Sequence, residues 1–529
     1  MVNAIQDIPN EVAELRALVA EQAQQIAQQA QLIDDQLALN KLLQEELRLL
    51  RANKFGPRSE AMPTGQGQLF NEAEFLADEG TTEAAEEDTI EIPAHRRKRG
   101  GRKPLPENLP RQEVIHDLPD DEKICPHDQT PLKHIGDEVS EQLEVIPQQA
   151  RVIRHIRRKY ACPCCDEALA TAPMPPQPIP KSLAAPATLA FVVTSKFVDG
   201  LPLHRLERIF GRLDIDISRQ TLARWVIKSG VLVQVLINLL QDQLMEGGLV
   251  HMDETRMQVL NEPNRPATSQ STIWVRRGGP PDKPIILFHY DSSRSAAVAT
   301  RLLDGFAGAL VTDGYEGYAA AVRTHQLTHA GCWAHARRKF DEAVKAQTPK
   351  GKKPKAGRAT RALGFIRRLY RIERLARDQD LSPEQRRGYR QQHAQPVIDE
   401  LQAWMQTSLS QVPPKSAVGK ALHYLNNQWD KLTVYLTDGH IPIDNNPAEN
   451  AIRPFVIGRK AWLFADTVAG AEASANLYSL VETAKANGVE PYRYLRYVFT
   501  HLPAADSLDA FEALLPTQVD PDTINALPL

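Results

Sequence analysis

Three acidic residues have the type and the position expected of a metal-dependent phosphoryl-transfer site. Asp253 follows the short apolar run 249–252, Asp313 follows the run 309–312, and Glu449 lies near the start of a helical pattern. Carboxylates in such places can converge in space, and a close cluster of them is stable only with a bound cation. Two divalent ions held in this way stabilise the attacking and leaving oxygens of an in-line phosphoryl displacement. We therefore predict that these three residues are catalytic and bind Mg²⁺ or Mn²⁺.

Each of these residues also has a purely structural explanation. Asp313 and the glycine after it form an ordinary turn signal. Asn446, Pro447 and Glu449 fit a helix capping box, in which the asparagine is the N-cap, the proline the first helical residue and the glutamate the third. Asp253 fits a loop residue that ends a strand. Their joint occurrence, in the sequence context described below, favours catalysis.

Length predicts several domains, and the order of elements described below makes the predicted fold multidomain α+β. A chain of 529 residues is too long for one domain. The formal net charge is −3, but acidic residues concentrate in 71–92, whereas basic residues recur in 95–111, 151–159 and 337–374. This segregation is typical of a protein with separate electropositive faces.

Hydropathy predicts where the protein is located, and cysteine usage predicts a metal site. The sequence has no apolar stretch of about 18 residues and no N-terminal signal pattern. Three of the five cysteines lie within 162–165, which favours a metal site over a disulfide framework. We expect a cytoplasmic protein with no membrane association.

Residues 1–55 are predicted to form a coiled-coil oligomerisation helix. Positions 11–52 contain neither proline nor glycine, and β-branched residues recur at heptad spacing as Val19, Ile26 and Ile33. A single asparagine in the same column, Asn40, is a device that fixes the register of two strands. We expect a homo-oligomer, with a parallel dimer favoured. The alternative is an amphipathic helix that docks on its own protein.

Residues 56–110 are predicted to be a charged, largely disordered linker, because this segment is rich in proline, glycine and charge. Its basic part contains Arg99, Arg102 and Lys103. These side chains are candidates for salt-dependent contacts to DNA phosphates that read no sequence.

Residues 111–180 are predicted to form a small β region resembling a zinc knuckle. Cys162 and Cys165 form one C-x-x-C pair, whereas the other half offers Cys125 with Asp128 at the expected second position. Zinc accepts thiolate, imidazole or carboxylate ligands in a tetrahedral site, and it can hold together a hairpin too small for its own core. The alternative is a metal-free β element with reduced thiols.

Residues 181–245 are predicted to contain a helix-turn-helix that binds DNA. A helix through Phe210 is followed by a turn, and Ser218 is the predicted N-cap of a second helix. Arg219, Gln220 and Arg224 lie where the N-terminal side chains of a recognition helix contact base edges. Any helical hairpin can produce the same pattern.

Residues 246–480 are predicted to be an RNase H-like α/β domain with a basic helical insertion at about 340–440. Three strands, a helix and a further strand follow in order, and Asp253 and Asp313 end the first and last of these strands. Residues 481–529 read as a helical tail.

Basic residues follow Glu449 on the same predicted helix. Arg453 lies one turn beyond the glutamate, where it contacts either a DNA phosphate or the carboxylate itself. Arg459 and Lys460 are further candidates for contacts to phosphate.

Several motifs together resemble one family over nearly the full length of the chain. His-Met-Asp253-Glu-Thr, Thr-Asp313-Gly-Tyr-Glu-Gly-Tyr, Gly-Cys332-Trp-Ala-His335 and Glu449-Asn-Ala-Ile-Arg-Pro occur in that order. The chain resembles a DDE transposase of the insertion sequence 66 type. The resemblance implies that the catalytic triad falls on the three acidic residues named above.

The sequence departs from the family's pattern at two positions. Asp128 stands where many members have cysteine, which weakens the zinc assignment, and Asn450 stands where many members have arginine. The pair Cys332 and His335 resembles a signature found after the second aspartate in several transposase families. Two ligands make no complete zinc site, so apolar packing of the cysteine and a hydrogen-bonded histidine are favoured.

The resemblance implies binding to the terminal inverted repeats of a mobile element, cleavage at its ends, and joining of the 3′-hydroxyl to target DNA. It also implies small accessory proteins from the same element as partners. One alternative is a DNA-binding regulator derived from a transposase, in which the sheet is only a scaffold. Another is a structure-selective nuclease that needs no element ends.

Overall fold

The computed structural model describes residues 8–55, 150–161, 169–171, 173–348 and 356–527. The chain divides into two compact units, residues 81–171 and the remainder. The described part of the smaller unit contains an antiparallel pair, β1 (Lys159–Ala161) and β2 (Leu169–Thr171). The predicted zinc ligands Cys125, Asp128, Cys162 and Cys165, and the linker residues Arg99, Arg102 and Lys103, lie outside the described residues.

The larger unit begins with the long helix α1 (Ile8–Phe55), followed by many shorter elements. Its strands are β3 (Leu249–Asn261), β4 (Gln270–Gly278), β5 (Ile285–Asp291), β6 (Ala309–Val311), β7 (Thr328–Ala330) and β8 (Ala465–Thr467). Its remaining helices are α2 (Pro186–Phe197), α3 (Leu203–Gly211), α4 (Arg219–Leu232), α5 (Gln234–Met245), α6 (Ala296–Leu302), α7 (Ala319–His325), α8 (Trp333–Gln347), α9 (Arg358–Asp378), α10 (Pro383–His393), α11 (Gln395–Leu409), α12 (Ala417–Asn427), α13 (Trp429–Thr433), α14 (Asn446–Trp462), α15 (Val468–Ala486), α16 (Pro491–His501), α17 (Leu508–Glu512) and α18 (Pro521–Asn525).

A mixed sheet with the strand order β5-β4-β3-β6-β7 forms the centre of this unit. The strands β3, β4 and β5 are antiparallel neighbours, whereas β6 pairs parallel to β3 and β7 pairs parallel to β6. The short strand β8 also pairs with β3, beyond the part that contacts β6. Parallel neighbours need crossover connections, and α7 supplies the one between β6 and β7.

Gly308 allows β6 to lie against β3. Its φ of +145° is open to glycine and unfavourable for other residues, and a Cβ there would lie 2.4 Å from the carbonyl oxygen of Gly248. The next residue, Ala309, donates its N–H to the same oxygen at 2.9 Å. A larger residue at 308 would therefore push apart the two strands that lead to the predicted aspartates.

Side chains of α15 cover the outer edge of β5. The Thr483 hydroxyl accepts from the N–H of Ile286 at 3.0 Å and donates to its carbonyl at 2.9 Å. The Ser479 hydroxyl accepts from the N–H of Phe288 at 2.7 Å, and its oxygen lies closer to the carbonyl of Ala475, at 2.8 Å, than to that of Phe288, at 3.4 Å. An uncovered edge strand exposes unpaired backbone groups. Two buried hydroxyls satisfy these groups here without a further strand.

The described helices between β7 and α14 build a second core on the far side of the sheet. Aromatic and aliphatic side chains of α8, α9, α11 and α12 pack there, with Trp333, Phe340, Leu369 and Leu401 all essentially inaccessible to solvent. The predicted helical character of residues 340–440 is therefore correct over the described part of that range. The main core lies on the sheet and includes α2, α4, α5, α15 and α16.

The predicted second helix of the helix-turn-helix begins where expected. Ser218 is the N-cap of α4, and its hydroxyl accepts from the N–H of Thr221 at 3.3 Å. The helix before it, α3, ends at Gly211. No single described helix is long and apolar enough to cross a membrane, whereas α4 and α5, bent by 45°, pass that test as a pair on length and composition alone.

The hydroxyls on α15 should be measurable contributors to stability. We predict that Thr483→Val or Ser479→Ala lowers the free energy of unfolding by about 1–3 kcal/mol, because each leaves buried backbone groups without partners. Urea denaturation followed by circular dichroism measures the change. Ser474→Ala is the matched control, since that hydroxyl bonds only within its own helix. Equal effects of the two serine substitutions would contradict the role assigned to the strand edge.

Candidate active site

Asp253 lies inside β3 rather than at its end. The prediction that the first strand ends at residue 252 is wrong, because the backbone stays paired with β4 through Gln258. On the other side, β3 pairs with β6 only as far as His251, which lies opposite Val311. Asp253 and Asp313 each follow these paired residues by two positions. The parallel register therefore brings the two aspartates to the same level of the sheet.

Glu449 lies in the first turn of α14, the helix that packs on the strand of Asp253. The helix begins at Asn446, so its N-cap is Asn445 and not Asn446, and the predicted capping box is absent. The backbone N–H of Glu449 donates to the carbonyl of Asn445 at 3.1 Å. Glu449 itself is 5% exposed, and α14 packs on β3 and β4.

Asn445 connects α14 to the strand that carries Asp253. Its Nδ2 donates to the carbonyl oxygen of Met252 at 2.8 Å, and its Oδ1 lies 2.9 Å from Nδ1 of His251. Since an amide oxygen only accepts, His251 donates from Nδ1. Burial lowers the pKa of His251 to about 4, so the ring is neutral at physiological pH. The backbone N–H of Asn445 donates to the buried sulfur of Cys332 at 3.2 Å.

Residues at the start of α8 surround the Glu449 carboxylate. Nη2 of Arg338 lies 3.1 Å from Oε2, and Nδ1 of His335 lies 3.3 Å from Oε1. Sequence analysis missed Arg338. It is three residues from His335, so both lie on one helical face, and that spacing was the available signal.

The negative charges of Asp313 and Glu449 make ionisation of Asp253 less favourable. The pKa of Asp253 is raised well above its usual value, first by burial, then by Glu254, with smaller contributions from Asp313 and Glu449. The N–H of Glu254, which donates to Asp253 at 2.8 Å, acts in the opposite direction. A divalent cation is the ordinary means of keeping such a cluster ionised.

Glu254, the neighbour of Asp253 in β3, has its carboxylate held by residues outside the predicted triad. It accepts from the hydroxyl of Tyr318 and from Nε of Arg294, the latter at 2.9 Å. Its pKa is nevertheless raised, mainly by burial. These contacts give Glu254 a structural role beside the site.

The donor set fits hard divalent cations, which prefer carboxylate oxygen. The three carboxylates are not all in mutual contact. Among the described residues, the group with ligand atoms within 4.8 Å of one another is Cys332, His335 and Glu449. In this group, burial raises the pKa of the Cys332 thiol well above its usual value. That observation agrees with the predicted packing role of the cysteine rather than with a thiolate ligand.

The candidate DNA contacts are spread over two helices. Arg219, Gln220 and Arg224 are exposed on the first two turns of α4. On α14, Arg453 is partly buried, Lys460 is exposed, and Nη1 of Arg459 donates to the hydroxyl of Thr255 at 3.1 Å. Arg459 therefore contacts β3 two residues after Asp253.

The connection made by Asn445 generates a prediction. We expect Asn445→Ala to lower the free energy of unfolding by about 2–4 kcal/mol, since it leaves the groups on His251 and Met252 buried without partners. We also expect weaker Mn²⁺ binding in calorimetry, because Glu449 loses its fixed position relative to Asp253. Asn487→Ala is the matched control, as that amide bonds two carbonyls far from the site. Identical metal affinity in the two variants would refute the positioning role.

Comparison with known proteins covers most of the chain. The model described as "Transposase IS66 family" matches residues 181–473, which is more than half of the sequence. The "zinc-finger binding domain of transposase IS66" matches 122–166, and the "IS66 C-terminal element" matches 479–517. A fourth model, "Transposase C of IS166 homeodomain", matches 42–114.

Several uncharacterized proteins of Sinorhizobium fredii (strain NBRC 101917 / NGR234) are similar over long stretches. The protein y4jD is 32% identical over 424 residues, which are 78% of this chain and 81% of that protein. The protein y4qI is 33% identical over 405 residues, 74% of this chain and 72% of that protein. The resemblance predicted from the motifs is thus confirmed, and the chain belongs to the IS66 family of transposases.

Proposed function

We propose that this transposase cuts DNA at the ends of a mobile element and joins the freed 3′-hydroxyl to target DNA, with Asp253, Asp313 and Glu449 as its catalytic carboxylates. The observation that supports the proposal most directly is geometric: the parallel register of β3 and β6 brings Asp253 and Asp313 to the same level of the sheet, and the helix that carries Glu449 packs on β3. Family membership implies transposition, and the proposal adds the chemistry and the residues.

The three carboxylates would hold the divalent ions, Mg²⁺ or Mn²⁺. Bound divalent ions supply a lowered pKa for the attacking water or 3′-hydroxyl and charge stabilisation for the leaving oxygen. The protein's own part is positioning. Asn445 aligns α14 with β3, and Arg338 with His335 orients the Glu449 carboxylate. No covalent link between protein and DNA is required.

The fold that we infer for the catalytic unit is RNase H-like. The inference is supported by three antiparallel strands followed by two strands parallel to the first, in the order β5-β4-β3-β6-β7. In this arrangement the first strand is central, and its carboxylate lies next to that of the fourth strand. A structural zinc held by Cys125, Asp128, Cys162 and Cys165 is supported by the match of 122–166 to the family's zinc-finger domain.

DNA recognition is proposed for the exposed side chains at the start of α4. Arg219, Gln220 and Arg224 would read the terminal inverted repeats, whereas Arg453, Arg459 and Lys460 would contact phosphates beside the site. The basic residues Arg99, Arg102 and Lys103 would add affinity that depends on salt. Small accessory proteins of the same element are further proposed partners.

We further propose that α1 pairs two copies of the chain. Its heptad column is unburied in the single chain, with Val19, Ile26 and Ile33 between 57% and 66% exposed. The C-terminal end differs, because Glu45 is buried and accepts from the N–H of Ala417 at 3.3 Å, at the start of α12. One part of α1 thus contacts its own protein, and the other is free for a partner helix.

Loss of a catalytic carboxylate should separate binding from chemistry. We predict that Asp253→Asn lowers strand transfer on the order of 1,000-fold, equivalent to about 4 kcal/mol of barrier, while binding to end-containing duplex DNA is kept. Gel-based transfer and fluorescence anisotropy measure the two quantities. Asp304→Asn, at an exposed position after α6, is the charge-matched control. Unchanged transfer by Asp253→Asn would show that the site is a scaffold, as in a regulator.

The pairing role of α1 predicts a change in mass. We expect Ile26→Glu combined with Ile33→Glu to convert the protein to a monomer, because like charges then face each other across the seam. Sedimentation velocity measures the mass. Gln24→Glu, on the outer face of the same helix, should leave the assembly intact. A wild-type monomer at micromolar concentration would exclude this role.

A further inference from the structure

Arg276 is a buried charge without a carboxylate partner among the described residues. It lies in β4, is 5% exposed, and donates from Nη1 to the carbonyl of Leu302 at 2.7 Å. Its Nε is buried and makes no hydrogen bond to any residue in the described ranges. Burial lowers the pKa of Arg276 to about 10, so the guanidinium stays charged at neutral pH. Buried charges in proteins are normally paired.

The contact with Leu302 compensates only part of this charge. Leu302 ends α6, and the carbonyl groups at a helix C-terminus carry a partial negative charge. One acceptor satisfies one of the five N–H groups of a guanidinium. A purely structural arginine would be expected to use its Nε as well. Arg276 also lines a space that the protein's described side chains leave unfilled.

That space is a cleft of about 550 Å³ between β4, β5, α4, α5 and α15. Its polar lining includes Arg276, His289, Arg301, Asn238, Gln241 and Asn476. The volume is in the range of small-molecule sites in proteins. The cleft is separate from the acidic site, since Arg276 alternates in β4 with Val275, which lies opposite Asp253.

The other charged residues at the cleft do not neutralise the positive charge of Arg276. Arg301 is neutralised by Asp291 at 2.6 Å, and Glu472 is exposed to solvent. Burial and the two arginines lower the pKa of His289 to about 4, so its ring is a neutral hydrogen-bonding group at physiological pH. The cleft therefore combines one desolvated cation with an ion pair, a solvent-exposed glutamate and several neutral polar groups.

We propose that this cleft binds a phosphate group, with Arg276 as its anchor. A guanidinium presents parallel N–H donors that match two oxygens of a phosphate, and the amides of Asn238 and Gln241 are available for the others. The phosphate belongs either to the backbone of DNA lying along α4 or to a small free molecule. A desolvated charge–phosphate pair also explains why an arginine is kept inside a sheet.

The first test uses the full-length chain and inorganic phosphate, with chloride added to equal ionic strength. Phosphate should raise the unfolding midpoint of the wild type, because a ligand that binds the folded state stabilises it. Arg276→Met should remove this response, and without phosphate it should unfold at an equal or higher temperature, because the unpaired buried charge is gone. Arg256→Gln, an exposed arginine on β3, is the matched control and should respond like the wild type.

A second variant tests phosphate binding without changing Arg276, so its result does not depend on the stability of Arg276→Met. Gln241→Glu retains the size of the side chain and brings a negative charge into the cleft, so it should weaken phosphate binding about tenfold in calorimetry. Its unfolding midpoint without phosphate should equal or exceed that of the wild type, because the new carboxylate can pair with Arg276. Equal phosphate affinity in the wild type and Gln241→Glu would overturn the proposal, as would equal stabilisation of the wild type and Arg276→Met.

A DNA arm distinguishes the two sources of phosphate. If Gln241→Glu also weakens binding to duplex DNA in fluorescence anisotropy at fixed salt, the cleft takes a backbone phosphate. If DNA binding is unchanged while inorganic phosphate binding falls, the ligand is a small free phosphate. Both outcomes support the site, and neither depends on the catalytic role of Asp253.

Discussion

The bridge that Asn445 makes between β3 and α14 is the constraint on which the site depends. A carboxylate on a strand and a carboxylate on a helix more than 190 residues later can act together only if the two elements are held in one register. Asn445 does this with two groups: its side-chain amide bonds the residues just before Asp253, and its backbone carbonyl accepts from the N–H of Glu449. Both side-chain bonds are buried, so breaking either leaves polar groups without water or protein partners.

The helical insertion also holds the segment that leads into Asn445 and α14. The hydroxyl of Tyr370 donates at 2.8 Å to the carboxylate of Asp444, the residue immediately before Asn445. Arg390, 1% exposed, forms a paired contact with Glu373 and donates to three carbonyls between residues 435 and 441. A charge buried in this way is costly alone, but its carboxylate and carbonyl partners satisfy it. The insertion therefore fixes the path of the chain into α14, besides whatever surface it offers to DNA.

What sequence could predict depended on how local the determinants were. The N-cap at Ser218 and the membership of a transposase family were predicted and are confirmed, since both rest on short contiguous patterns. The end of β3 was mispredicted because residues 253–256 are not fully buried, although their backbone stays paired. The choice of Asn445 over Asn446 as N-cap, and the pairing of Arg338 with Glu449, arise from contacts between distant segments. The spacing of Arg338 from His335 indicates only that the two share a helical face. The catalytic and DNA-contacting roles of the named residues stay predictions.

The helix that contacts Glu449 also contacts α1, for which we propose a pairing role. α8 carries His335 and Arg338 near its start, and at its other end the carbonyl of Ala346 accepts from Arg48 of α1 at 3.4 Å. An α-helix of 15 residues is about 22 Å long and resists bending. A dimer formed through the exposed heptads of α1 would therefore hold each acidic site at a limited distance from the shared seam. If the proposed function holds and two DNA ends are processed together, that geometry would require no direct contact between the two sites.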